Sequence, residues 1–305
     1  MTATAKTARA QLTLGPLFYH WNAEKRRDFY FKIADEAPVD CVYLGEVVCS
    51  KREPYFEDYF HQVADRLKSG GKQVVISTLA LVTSPREMAE TKQHASEDVV
   101  VEVNDVACLQ ALHGKPHVIG PFINIFNEGA REFVLRKGAF RVVIPIEAPA
   151  TSIKVLADTP AEIEVQVFGR QTLSVAMRCY HARSHGLTKD TCQYVCGLDD
   201  NGLPATTVTG GDLLTISGTS TQTHGYAVLL RELDALRQMG VTHFRLSPQN
   251  MDMIAVASIY RDALDGKSSP ADAEARLKAL CGGIPFINGF YYAKEGLSWI
   301  EPRAA

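Results

Sequence analysis

No stretch of the 305-residue chain is apolar for long enough to cross a bilayer, and Met1 to Ala10 lacks the hydrophobic run of a secretory signal. A cytoplasmic location is the expectation. An excess of charge of one sign is also missing. The 32 Lys and Arg stand against 35 Asp and Glu, a formal net charge of −3 that leaves no basic footprint for nucleic acid. There is no P-loop and no dinucleotide-binding glycine fingerprint. Ser217, in Ile216-Ser217-Gly218-Thr219-Ser220, lacks the flanking glycines of a nucleophile elbow. Nucleotide hydrolysis, dinucleotide-dependent hydride transfer and serine hydrolysis therefore lose their usual sequence support. Internal repeats and low-complexity tracts are absent as well.

What remains is an ordinary globular composition, 46% hydrophobic and 22% charged, in a chain long enough to bury a large core. One domain over residues 1–305 is expected, with two as the alternative. The seven cysteines are better read as metal ligands or redox groups than as disulfides in a reducing compartment.

Eight β-branched runs alternate with helix-like segments: Gln11 to Leu17, Val39 to Gly45, Gln73 to Leu79, Val99 to Asn104, His117 to Ile123, Arg141 to Ile146, Glu162 to Phe168 and Thr242 to Ser247. Helices are expected over Tyr55 to Lys68, Pro85 to Gln93, Glu128 to Lys137, Ala148 to Leu156 and Tyr226 to Gln238. Eight such units in this length predict an α/β fold, a TIM-barrel-like (β/α)8, with a doubly wound sheet as runner-up. The seventh unit is irregular. Residues 169–225 far exceed an ordinary βα loop, which marks them as a functional insertion.

Cys179, Cys192 and Cys196 fall in that insertion, and Cys49 follows the second strand. In a barrel, all four would lie on the rim at the C-terminal ends of the strands, where function gathers. Four thiolates satisfy either a cubane cluster or a tetrahedral zinc, and spacing alone does not separate the two. Cys41, near the start of its strand, is the alternative to Cys49; Cys108 and Cys281 read as buried small hydrophobes. His181 and His185 are i, i+4 partners, but Gly186 points to a loop and they are left outside the ligand set.

Alternation in the seventh strand sets Glu162, Glu164 and Gln166 against Ile163, Val165 and Val167; in the eighth, His243, Arg245 and Ser247 oppose Phe244 and Leu246. Glu46 and Glu147 close the second and sixth strands. A polar lumen is expected, in which Arg245 pairs with an anionic group of the substrate while Glu46, Glu147 or Glu164 moves a proton. A buried structural Arg–Glu pair is the equal alternative.

Leu14-Gly15-Pro16, the run Val42-Tyr43-Leu44-Gly45-Glu46-Val47-Val48-Cys49-Ser50-Lys51-Arg52, Ile76-Ser77-Thr78-Leu79-Ala80-Leu81-Val82, the Arg178-Cys179 segment and Arg245-Leu246-Ser247-Pro248-Gln249 together resemble the ubiquinone-biosynthesis members of the collagenase-like U-type peptidase family. The resemblance spans residues 14 to 249. It implies a [4Fe–4S] cluster on Cys49, Cys179, Cys192 and Cys196, and an oxygen-independent hydroxylation of the aromatic ring of ubiquinone precursors. It further implies a heterodimer with a UbiU-like paralogue and contact with a UbiT-like lipid carrier. The peptidase label finds no protease nucleophile in this sequence. An RNA-modifying hydroxylase of the same family and a zinc-stabilised scaffold without catalysis are the alternative readings.

Overall fold

The computed structural model describes residues 9–96 and 98–301, the side chain of Ala95 excepted. Residues 1–8, part of the stretch read above for a signal, lie outside the described residues.

Eight parallel strands close on themselves. They are β1 (Gln11–Leu14), β2 (Cys41–Gly45), β3 (Gln73–Ser77), β4 (Val100–Val103), β5 (His117–Ile119), β6 (Ala139–Val143), β7 (Glu162–Gly169) and, after an insertion, β13 (His243–Leu246). Each pairs with the next, and β13 closes the barrel by pairing with both β7 and β1. The fold is the expected TIM-barrel-like (β/α)8. Every one of the eight sequence-derived strands overlaps a barrel strand. The fifth is the shortest, because Pro121 opens a 3-10 turn over Pro121–Ile123 where extension to Ile123 was expected.

Between β7 and β13 stand β8 (Thr172–Val175), β9 (Leu203–Thr206), β10 (Asp212–Ser217) and β11 (Ser220–Thr223), which form an antiparallel sheet in the order β8-β11-β10-β9. The chain then returns through β12 (Tyr226–Val228), antiparallel to the end of β7 and parallel to β14 (Phe286–Ile287). The helix expected from Tyr226 to Gln238 is therefore corrected. Tyr226 to Val228 is buried strand, and the helix runs only over Leu233–Met239. A short apolar run does not reveal its period, and the waiting edge of β7 decides it.

The crossovers are α1 (Ala23–Glu36), α2 (Glu57–Ser69), α3 (Pro85–Ser96), α4 (Val106–Leu109), α5 (Glu128–Arg136) and α6 (Ala150–Leu156). A single turn, α7 (Tyr180–Ser184), lies in the insertion, followed by α8 (Leu233–Met239), α9 (Met253–Leu264) and α10 (Pro270–Leu280). Side chains cap the starts: Asn22 accepts from the amide of Lys25, Asn127 from Ala130, and Asp252 from Ile254 and Ala255. Gly240, at φ 104°, ends α8 in the left-handed conformation that glycine adopts without strain.

Alternation sorts the side chains as expected. Ile163, Val165, Val167, Phe244 and Leu246 join the core between barrel and helices. Cys41, Tyr43, Val75, Val118 and Val143 form a small apolar cluster within the barrel. Beside it, Arg141, Glu164 and Arg245 are buried.

Candidate functional site

Cys49 leaves β2 through a turn built by Glu46. Its buried Oε1 accepts the amides of Val48 at 2.9 Å and Cys49 at 3.0 Å and stands 3.9 Å from Arg52 Nη1. Arg52 is 2% exposed. Its Nη1 donates to the Phe18 carbonyl at 3.1 Å, its Nη2 reaches Ser217 Oγ at 3.4 Å, and its Nε is buried without a partner. Gly218, at φ +62°, makes room for it: a Cβ there would stand 2.3 Å from Nη2. Thr219 Oγ1 donates to the Val48 carbonyl at 2.7 Å. The insertion is thus latched onto the turn that carries Cys49.

Two of the insertion's cysteines, Cys179 and Cys196, come to the same place. Cys179 starts α7, its Sγ accepting the amide of Ala182 at 3.3 Å, and is buried. Cys196 is buried in a 3-10 turn over Val195–Leu198, held by Gln193 and Tyr194 in left-handed backbone at φ 47° and 56°. Such non-glycine residues cost of order 1 kcal/mol each, so the turn is maintained against strain. Cys196 lies within electrostatic reach of Cys179 and Arg52, and Arg52 of Cys49. Burial pushes the thiols of Cys49 and Cys196 up, and the Arg52 charge opposes it. Cys192 lies within electrostatic reach of Tyr55.

Among the described residues, no three His, Cys, Asp or Glu side chains converge as ligands of one ion. Zinc needs its thiolates about 2.3 Å from a single centre, whereas a cubane presents a separate iron to each. Cys49 and Cys196 beside a buried guanidinium with an unsatisfied N–H, and Cys179 next to Cys196, fit the thiolate chemistry of an anionic iron–sulfur group.

An aromatic trio that sequence patterning passes over borders the turn that carries Cys196. His20, Tyr55 and Tyr194 have ring centroids 4.5 to 5.9 Å apart, and a Cβ on Gly197 would stand 3.3 Å from the His20 ring. Burial, reinforced by Arg52 and Arg26, lowers His20 to about 4. Neutral His20 thus stabilises the fold above pH 6.5, and that stability drains away as pH falls from 6.5 towards 4. Urea denaturation across this range should show a flatter pH dependence for His20→Gln than for the native chain.

The barrel mouth holds a pocket of about 300 Å³ lined by Phe18, Phe122, Glu147, Gln166, Arg245 and Ser247, with β8 as a wall. Phe18 and Phe122 pack at 6.2 Å. Phe18, Val47 and Val48, with Cys49, Ala80 and Phe122 against them, form one apolar cluster. Three members of this cluster, Phe18, Ala80 and Phe122, also line the mouth pocket.

The four expected acid–base and binding residues divide between several tasks. Glu147 is exposed at the mouth with no hydrogen bond or ion pair among the described residues. Glu46 is occupied with the Cys49 turn. Glu164 is fully buried: Oε1 accepts from Thr13 and from Arg245 Nε at 2.7 Å, and Oε2 accepts from Tyr43. Although burial would raise it, Arg245 and Arg141 hold it down at about 2. Arg245 gives Nη2 to Glu102 at 2.7 Å, stacks 4.0 Å over Tyr43, and turns one edge to the pocket. Arg245 and Glu164 therefore make the buried ion pair that stood as the structural alternative.

Cys41 lies in the lumen, 3.8 Å from Arg141 Nη1, with burial pushing it up to about 12. Cys108 packs on Thr91, and Cys281 is buried at the end of α10. His181 is in the short helix α7 where a loop was expected, since Gly186, at φ +70°, follows rather than prevents that turn. The buried His181 bonds Asp199 at 2.9 Å through Nε2 and stacks on His185. Ser217 Oγ donates to the Phe18 carbonyl at 2.8 Å, a structural task.

In the described residues, no helix is long and apolar enough to cross a membrane. The structure is similar to that of the U32 peptidase Mk0906, at 11% identity and a TM-score of 0.45, covering 82% of this chain and 97% of that one. The family model for peptidase family U32 matches residues 30–300. That match takes in nearly all of the barrel and the whole insertion with its three cysteines, so the chain belongs to peptidase family U32.

Proposed function

We propose that the chain is the iron–sulfur subunit of an oxygen-independent hydroxylase acting on the aromatic ring of ubiquinone precursors. In this reading Cys49, Cys179, Cys192 and Cys196 hold a [4Fe–4S] cluster, which supplies one-electron redox chemistry when bound. A UbiU-like paralogue forms the heterodimer and a UbiT-like lipid carrier brings the substrate, all in the cytoplasm. The observation that carries the reading is the shared wall: Phe18, Ala80 and Phe122 line the mouth pocket and belong to the same apolar cluster as Cys49. An aromatic ring seated at the mouth packs on Phe18 and Phe122.

Hydroxylation replaces a ring C–H by C–OH and oxidises the ring by two electrons. A co-substrate of the oxygen-atom-donor class, reduced by two electrons, supplies the oxygen, and the C–H hydrogen leaves the ring carbon as a proton that returns to the new oxygen. Glu147, free at the pocket edge, is the residue placed to accept that proton, whereas Glu164 is held as a carboxylate by two arginines. The thiols supply no protease machinery, and Ser217 is engaged with backbone. Glu147→Gln should lower activity by 10²-fold or more in an anaerobic ubiquinone complementation assay, with cluster content and thermal stability unchanged. Wild-type activity in Glu147→Gln would remove the proton-accepting role. Failure of the native gene itself to restore ring hydroxylation, or salt-sensitive RNA binding in its place, would sink the proposed function.

A further inference from the structure

Arg52 is a fully buried cation whose surroundings do not account for all of it. Glu46 stands at 3.9 Å, long for a close ion pair, and its Oε1 is already shared by two backbone amides. Nη1 and Nη2 go to a carbonyl and a hydroxyl, the guanidinium is also within hydrogen-bonding reach of the Cys196 thiol, and the buried Nε has no partner of its own. An unpaired buried donor is costly, more so when charged, so a residue that retains one is expected to have a further acceptor. The groups beside the guanidinium are Cys49 and Cys196, with Cys179 next to Cys196.

We infer that Arg52 is the tuning residue of the iron–sulfur centre, donating its free N–H to the sulfur group and setting the reduction potential with its fixed positive charge. The inference rests on the cluster reading given above. Cluster potentials follow net charge, hydrogen bonds to sulfur and solvent exposure. One-electron reduction adds a negative charge to the centre. A cation held in a low-dielectric pocket stabilises the reduced form more than the oxidised one and raises the potential. Gly218 belongs to the same device, because its missing Cβ is the space that Nη2 occupies.

The full chain, reconstituted anaerobically with ferrous iron and sulfide, is titrated to its midpoint potential as wild type, Arg52→Gln and Arg52→Lys. Arg52→Gln should be at least tenfold harder to reduce, a fall of about 59 mV for one electron. Arg52→Lys keeps the charge and so keeps Glu46 paired, but it loses the planar fork and should fall part of the way. If Arg52→Gln does not fold, Arg52→Lys decides alone: a potential equal to wild type overturns the role of Arg52. Equal potentials in all three proteins overturn it as well. A wild-type chain that takes up no iron and sulfide overturns the cluster reading itself, a result distinct from either.

Discussion

On the cluster reading proposed above, anaerobically reconstituted Cys49→Ala, Cys179→Ala, Cys192→Ala and Cys196→Ala proteins are each expected to lack the iron, the sulfide and the brown colour expected of the native chain. Each substitution removes one of four thiolates, and no fifth cysteine is in reach. Cys41 is inside the lumen against Arg141, Cys108 is against Thr91 in the helix layer, and Cys281 is at the end of α10. Cys41→Ala should therefore keep full iron and sulfide content, as should Cys108→Ala. Full content in any one of the four rim variants would strike that residue from the ligand set. A colourless native protein with stoichiometric zinc would replace the cluster with a structural ion.

Arg245→Met should destabilise the barrel by about 3–5 kcal/mol, because it leaves buried Glu102 without a cation and buried Glu164 with only Arg141 at 3.8 Å. Glu102 and Glu164 both rely on the guanidinium, each at 2.7 Å, and neither is exposed to solvent. The triple change Glu102→Gln, Glu164→Gln, Arg245→Met should recover much of that loss, since no uncompensated charge remains. Acid unfolding carries the same signature. A carboxylate held at about 2 stabilises the fold fully above its unfolded value near 4.5 and loses that contribution as pH falls through 2. Urea melts of these variants between pH 7 and pH 3 would test both points. Unaltered stability in Arg245→Met would show the lumen ion pairs to be dispensable and would return Arg245 to the substrate.

The barrel was legible in the sequence because period-two alternation leaves a mark on each strand, most plainly on Glu164 and Gln166 against Val165 and Val167. The position of Cys49 just beyond the C-terminal end of β2 followed from chain direction in a parallel barrel. Other features leave no such mark. Whether Arg245 faces substrate or partner depends on Glu102, a residue more than a hundred positions away in sequence. The strand Tyr226–Val228 is three residues long and takes its conformation from the edge that it meets. Arg52 and His20 were missed for a related reason. Each sits just beyond a strand, in a turn whose shape the insertion completes, and neither residue type signals burial by itself. The run Glu46-Val47-Val48-Cys49-Ser50-Lys51-Arg52 did contain the clue, an acid and a base flanking a cysteine at turn spacing.

The way the insertion leaves and re-enters the barrel bears on how such proteins diversify. Gly169, the last residue of β7, is hydrogen-bonded in register with Ala227 of β12, so the two ends of a long excursion meet in a single ladder. Loop closure at that neck is settled by the sheet and grows only slowly with the length enclosed. The excursion can therefore lengthen, shorten or change its cysteines with little demand on the barrel beneath, provided that Arg52 and Val48 keep their latches to Ser217 and Thr219. Rim chemistry and scaffold stability become separable traits, free to be altered one at a time.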